Sequence, residues 1–147
     1  RERVGSLSVL GGKAVQADAS LTHINNVVRG NYSMPPSHGG AIVGEILADQ
    51  ALRQNWEAEL AAMRDRINQL RVLLVDKLSA QGVDQDFSFI AKQHGMFSFL
   101  GLSVAQVDQL REQFSIYMVG SSRVNIAGIS QANIDYLAQS VAAVLAS

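Results

Sequence analysis

Three arginines stand where a guanidinium could meet an anion. Arg3 precedes a short apolar run, Arg29 lies between an apolar helical pattern and a Pro-Pro turn, and Arg123 leads an apolar run out of Gly120-Ser121-Ser122. The planar fork of arginine donates two parallel hydrogen bonds to a carboxylate or phosphate, so each position is a candidate for holding an oxyanion. Each also has a plainer role. Arg29 at a helix C-terminus would gain about 0.3–1 kcal/mol from the helix dipole, and Arg3 and Arg123 could each pair with a carboxylate at the edge of a core. Other chemistry is sparse. His23, His38 and His94 are far apart and have no carboxylate at metal-ligand spacing, so no metal site is expected. No glycine-rich phosphate loop follows a strand, and no serine sits in a nucleophile elbow. The absence of cysteine excludes disulfides, thiolate catalysis and Cys-ligated zinc or iron–sulfur clusters.

The elements that would position these residues follow from periodicity. Val4, Leu7, Val9 and Leu10 suit a strand covered on both faces, stopped by Gly11-Gly12. The next strand pattern starts only at Phe87, so the sheet flanking the first strand is expected to lie outside this chain, which reads as cut from something longer. Val15, Ala19, Ile24, Val27 and Val28 predict a helix ending near Arg29-Gly30, and the Pro35-Pro36 segment from Asn31 to Gly40 breaks it. Helix resumes at Ala41–Ala48, and Asp49 is placed to cap the longest helix, which runs to about Gln81. Its stripe is Trp56, Leu60, Met63, Ile67, Leu70, Leu74 and Leu78, with Glu57, Arg64, Asp65, Arg71 and Asp76 read as lying off it. Such a helix suits a brace between two parts of a larger fold.

Beyond Gly82, residues 86–90 and 95–99 alternate as half-buried strands do. Ser103 and Gln106 form a capping box for a helix with Val104, Val107, Leu110 and Phe114 inward. Strands are expected at 116–119 and 124–127, and Ser130 opens a last helix carrying Ile134, Leu137, Val141 and Leu145. From about residue 61 onward this is an α+β layer. The composition agrees: 147 residues, 48% apolar and 17% charged, can bury enough surface to offset backbone ordering. Twelve Lys+Arg against thirteen Asp+Glu give a net charge of -1, with no basic run for nucleic acid. No apolar stretch is long enough to cross a membrane, so a soluble protein with neither partner is expected.

Four motifs in order then carry a family resemblance: Glu2-Arg3-Val4-Gly5, Arg29-Gly30-Asn31-Tyr32-Ser33-Met34-Pro35-Pro36, Gly95-Met96-Phe97-Ser98-Phe99-Leu100-Gly101-Leu102, and Ser122-Arg123-Val124-Asn125-Ile126-Ala127-Gly128. Together they closely resemble the C-terminal part of class I pyridoxal-phosphate aminotransferases, in the aspartate and aromatic amino-acid branch. Trp56-Glu57-Ala58-Glu59-Leu60 and Gln106-Val107 fit as well, so the resemblance spans essentially the whole chain. It implies an α/β to α+β fold, with residues 1–60 as the incomplete end of the large cofactor domain and 61–147 as the small C-terminal domain.

The resemblance also implies roles. Arg3 matches the residue that holds the phosphate of pyridoxal 5'-phosphate, and Arg123 the one that clamps the substrate α-carboxylate. Arg29 matches the residue that crosses a homodimer interface to the distal carboxylate of a dicarboxylic substrate. Phe97 matches an aromatic lining the substrate pocket, and Tyr32 and Ser33 lie in the segment entering the partner's site. The implied activity is amino transfer between aspartate or an aromatic amino acid and 2-oxoglutarate, in a cytoplasmic homodimer. The Schiff-base lysine is expected upstream of Glu2, and Lys13, Lys77 and Lys92 lack its Ser-x-x-Lys setting. The chain alone is therefore expected not to transaminate or to hold the cofactor. It is also expected to self-associate through an apolar surface at Val4–Leu10 and Val15–Val28. Met34, Ser122 and Gly30 depart from the pattern, where Asn, Gly and a larger residue are usual. A free-standing α+β binding module derived from such an enzyme is the other reading.

Overall fold

The computed structural model describes residues 3–146. Glu2, the first residue of the Glu2-Arg3-Val4-Gly5 motif, lies outside them. In chain order the elements are α1 (Ala14–Asn31), α2 (His38–Ala48), α3 (Gln50–Ser79), α4 (Phe89–Lys92), β1 (Phe97–Phe99), α5 (Val104–Phe114), β2 (Arg123–Asn125), a 3-10 turn (Ile126–Gly128) and α6 (Ile134–Leu145). The chain divides into two compact units, Arg1–Glu57 and Ala58–Ser147.

The first unit is made of helices. α1 and α2 form where the apolar period asked for them, although α2 begins at His38, ahead of the expected Ala41. The Pro-Pro segment keeps the two apart, because proline cannot donate and pushes the preceding residue out of the helical region. Asp49 caps α3 as expected: its Oδ1 accepts from Ala51 N at 2.8 Å and Leu52 N at 2.9 Å. The strand expected at Val4–Leu10 is not formed. Those residues carry no regular structure, and Leu7 and Leu10 are 76% and 98% exposed. A strand needs a neighbour for its backbone groups, and among the described residues the only two strands pair with each other. Of the face expected on α1, Ile24 and Val28 are half-buried while Val15 and Val27 are exposed.

The second unit holds the core. Leu70, Leu74 and Leu78 of α3 meet Phe87, Ile90, Leu100, Leu102, Val107, Leu110, Ile126, Ile129 and the inner face of α6. The α3 stripe is thus buried only at its C-terminal end; Leu60 and Met63 remain exposed. Gly82, at φ 69°, adopts the left-handed turn that ends the helix region. α5 opens on the predicted capping box, with Ser103 Oγ accepting from Gln106 N at 3.2 Å, and packs on α6. Val104, expected inward, is exposed. α6 buries Ile134, Leu137 and Val141, and Lys77 Nζ meets Asp135 Oδ1 at 2.7 Å between α3 and α6.

Two further expected strands are absent. In residues 86–90, Asp86 accepts from Ser88 N at 2.8 Å and from Ser88 Oγ at 2.9 Å, which bends the chain into α4. These bonds, the backbone one foremost, hold the Asp86 carboxyl below the ordinary aspartate range. The alternation of Phe87, Phe89 and Ile90 is therefore that of a turn and one short helix. Residues 116–119 stay irregular, because the strand that follows β1 in the ribbon is β2, which starts at Arg123 and gives way to the 3-10 turn at Ile126.

Leu78 is fully buried and Met63 is 54% exposed on the same helix. Leu78→Ala should cost about 2–5 kcal/mol through lost burial and a residual cavity, and Met63→Ala about 0.5 kcal/mol or less. Urea unfolding of the two variants checks this; equal midpoints would contradict the placement of the core.

Candidate functional site

The second unit's site is a short antiparallel ribbon. β1 and β2 pair in the register Phe97↔Asn125, Ser98↔Val124 and Phe99↔Arg123. Side chains alternate across a strand. Phe97, Phe99, Arg123 and Asn125 therefore occupy one exposed face, and Ser98 and Val124 face the interior. Two residues singled out from the sequence meet on the exposed face: the Arg123 guanidinium carbon lies 4.8 Å from the centroid of the Phe97 ring. Such a contact at an exposed site is worth about 0.5–1 kcal/mol, and it restricts where the guanidinium can point. Beside it opens a cleft of about 330 Å³ lined by Arg123, Asn125, Tyr117, Asn133 and Tyr136 together with apolar side chains from Ile116, Met118 and Ile129. The cleft combines an anion-binding fork with an apolar wall, which suits a carboxylate on an apolar body. Asn125 also serves the backbone, its Oδ1 accepting from Ala127 N at 3.1 Å to start the 3-10 turn.

Arg3 and Arg29 belong to the first unit. Arg3 is exposed in the irregular N-terminal segment, and among the described residues nothing accepts a hydrogen bond from it. Arg29 is exposed in the last turn of α1, where the helix dipole favours a cation. Tyr32 and Ser33 follow it, with Ser33 in the left-handed region at φ 60°. Among the described residues no group of His, Asp or Glu is arranged to hold a metal ion.

The ribbon depends on polar residues that sequence reasoning passed over. Arg71, read as lying off the α3 stripe, is only 1% exposed. Its spacing from Ile67, Leu74 and Leu78 is the same alternation of four and three that defines the stripe, so the arithmetic could have placed it inside; its charge argued it out. Nη1 donates to Ile90 O and Ser98 Oγ, and Nη2 to Gly95 O at 2.6 Å and Phe97 O at 3.0 Å. Burial lowers its pKa from the ordinary arginine value. On the other side of the ribbon Arg66 donates to Ala127 O at 3.2 Å and Ile129 O at 2.9 Å.

Ser122 explains its departure from glycine. It sits at φ 58°, where an L-residue is disfavoured, and is 1% exposed. Its Oγ accepts from Gly101 N at 3.0 Å and Leu102 N at 3.2 Å, and its carbonyl accepts from Leu100 N at 3.0 Å. The hydroxyl thus gives acceptors to two amides of the turn leaving β1, directly before Arg123.

The family described as "Aminotransferase class I and II" matches residues 1–141. The chain belongs to that family. The chain is 50% identical over 144 residues to an aspartate aminotransferase of Haemophilus influenzae and 44% identical to an aromatic-amino-acid aminotransferase of Escherichia coli; each alignment covers 98% of this chain and 36% of the relative. It therefore spans about a third of the length of these relatives. Among solved structures, an aromatic-amino-acid aminotransferase from Burkholderia pseudomallei, covalently bound to pyridoxal phosphate, superposes with a TM-score of 0.82 at 50% identity, covering 89% of this chain and 33% of that one. The family is dependent on pyridoxal phosphate, and this chain, mostly helical, is consistent with a partial domain of it.

Replacing Ser122 tests the turn. Ser122→Ala keeps the left-handed strain and strands two amides, and should cost about 1–3 kcal/mol. Ser122→Gly loses the same bonds but relieves the backbone, and should cost less. Denaturant midpoints in the order wild type, glycine, alanine are expected; alanine equal to wild type would refute the role of the hydroxyl.

Proposed function

We propose that this chain is the C-terminal portion of an enzyme that moves an amino group between aspartate or an aromatic amino acid and 2-oxoglutarate. In this reading residues 1–60 end the large cofactor domain and 61–147 form the small domain. The observation that carries it is the Arg123 guanidinium lying 4.8 Å from the Phe97 ring on the open face of the ribbon, in a chain 50% identical to an aspartate aminotransferase. Arg123 is assigned to the substrate α-carboxylate: two parallel N–H donors fix that group and so orient the Cα–H bond for proton removal. Phe97 keeps the guanidinium from swinging, and Ile116, Met118 and Ile129 supply the apolar wall.

Arg29 is assigned to the distal carboxylate of a dicarboxylic substrate in the partner's site of a homodimer, with Tyr32 and Ser33 in the same entering segment. Arg3 is assigned to the phosphate of pyridoxal phosphate. Its exposed fork of parallel donors can grip a dianion. When bound, the cofactor supplies the electron sink that makes the Cα proton removable. The dimer and a cytoplasmic location rest on the family resemblance. One observation favours a free-standing binding module instead: the buried hydrophobic core lies wholly between Leu70 and Val144, within the second unit.

Two measurements decide. In the complete protein, Arg123→Ala should lower kcat/KM for aspartate by about 100-fold, as loss of a charge-assisted bond worth about 1.5–3 kcal/mol requires; an unchanged kcat/KM would remove Arg123 from the site. Incubated with pyridoxal phosphate and then borohydride, the 147-residue chain should show no single labelled lysine. Stoichiometric labelling of Lys13, Lys77 or Lys92 would overturn the assignment of the covalent lysine to a region outside this chain.

A further inference from the structure

A guanidinium buried to 1% exposure is costly unless its donors are satisfied. The four hydrogen bonds of Arg71 all end on neutral oxygens, and all within one segment: Ile90 at α4, Gly95, and Phe97 and Ser98 of β1. Ser98 Oγ passes the link on, donating to Gln93 Oε1 at 2.7 Å. The Nε of Arg71 has no partner at all. An apolar side chain of similar volume would fill the same space but leave those oxygens without this donor. What Arg71 adds is geometry, since a rigid planar fork on a long helix sets the backbone at 95–98 from inside the fold.

The consequence appears on the other face. Phe97 O is held by Arg71 Nη2 at 3.0 Å, and the ring of the same residue lies under the Arg123 guanidinium, 4.8 Å from its carbon. We propose that Arg71 is a positioning residue for carboxylate binding by Arg123, acting through the Gly95–Ser98 backbone and the Phe97 ring; the carboxylate part rests on the function proposed above. Arg71 touches no substrate. Lysine cannot replace it, because an ammonium lacks the fork that spans Ile90, Gly95, Phe97 and Ser98 together.

The test has one arm on this chain and one on catalysis. In NMR spectra of the 147-residue chain, the Arg123 Nε–H resonance should be shifted upfield by the Phe97 ring, and Phe97→Leu should abolish the shift. Arg71→Lys should reduce it by half or more while methyl resonances of Leu78 and Val141 keep their folded positions; a full shift in a folded variant overturns the proposal. Should Arg71→Lys fail to fold, Ser98→Ala, which removes one acceptor, decides in its place. A reduced shift supports the proposal and an unchanged one refutes it. In the complete protein, Arg71→Lys should raise KM for aspartate and lower kcat/KM about tenfold, because Arg123 both holds and orients the carboxylate. A loss confined to kcat counts against it. A wild-type protein without transaminase activity would defeat the proposed function, while the ring shift would still decide whether Arg71 sets Arg123.

Discussion

A two-stranded ribbon of three residues on each side has too few backbone hydrogen bonds to persist in water, so its shape must be imposed from within. Here that is done by a buried cation. Arg71 reaches from α3 to four oxygens along the chain entering β1, and Arg66 holds the chain leaving β2 at Ala127 and Ile129. Ser122 closes the turn between them by accepting from Gly101 and Leu102. The end of the ribbon where β1 enters and β2 leaves is thus tied to α3, and the opposite end is closed by Ser122.

α3 is the common origin of the two arginine ties. It also meets α6 through Lys77 and Asp135, and its Leu70, Leu74 and Leu78 are the helix's share of the core. Burying each such leucine contributes roughly 1.5–3 kcal/mol, which keeps the helix in place while its arginines act on the ribbon. Core packing and site geometry are consequently properties of one helix face. The exposed face of the ribbon then needs little further support, because Phe97 and Arg123 restrain each other through the ring contact.

The first unit shows the opposite balance. Its helices α1 and α2 form, yet Leu7, Leu10, Val15 and Val27 are exposed. Helical hydrogen bonds close within the segment, whereas strand hydrogen bonds need a second segment. That is why the helices of this unit follow their sequence patterns and the apolar run at Val4–Leu10 does not become a strand.

The longer helices, the Asp49 and Ser103 caps, the Pro-Pro break and family membership were legible in the sequence, since each depends on residues close together or on motifs in fixed order. The segments 86–90 and 116–119 were misread because alternation over five residues or fewer does not distinguish a strand from a turn. Arg71 was misread because charge outweighed spacing, and no local rule says that four backbone and hydroxyl oxygens from residues 90–98 will converge on it. The sequence by itself determined which stretches coil and which residues could grip an anion. Only the tertiary structure decided that Phe97 and Arg123 share a face, because that depends on strand register and on a buried guanidinium whose partners lie 19 to 27 residues away.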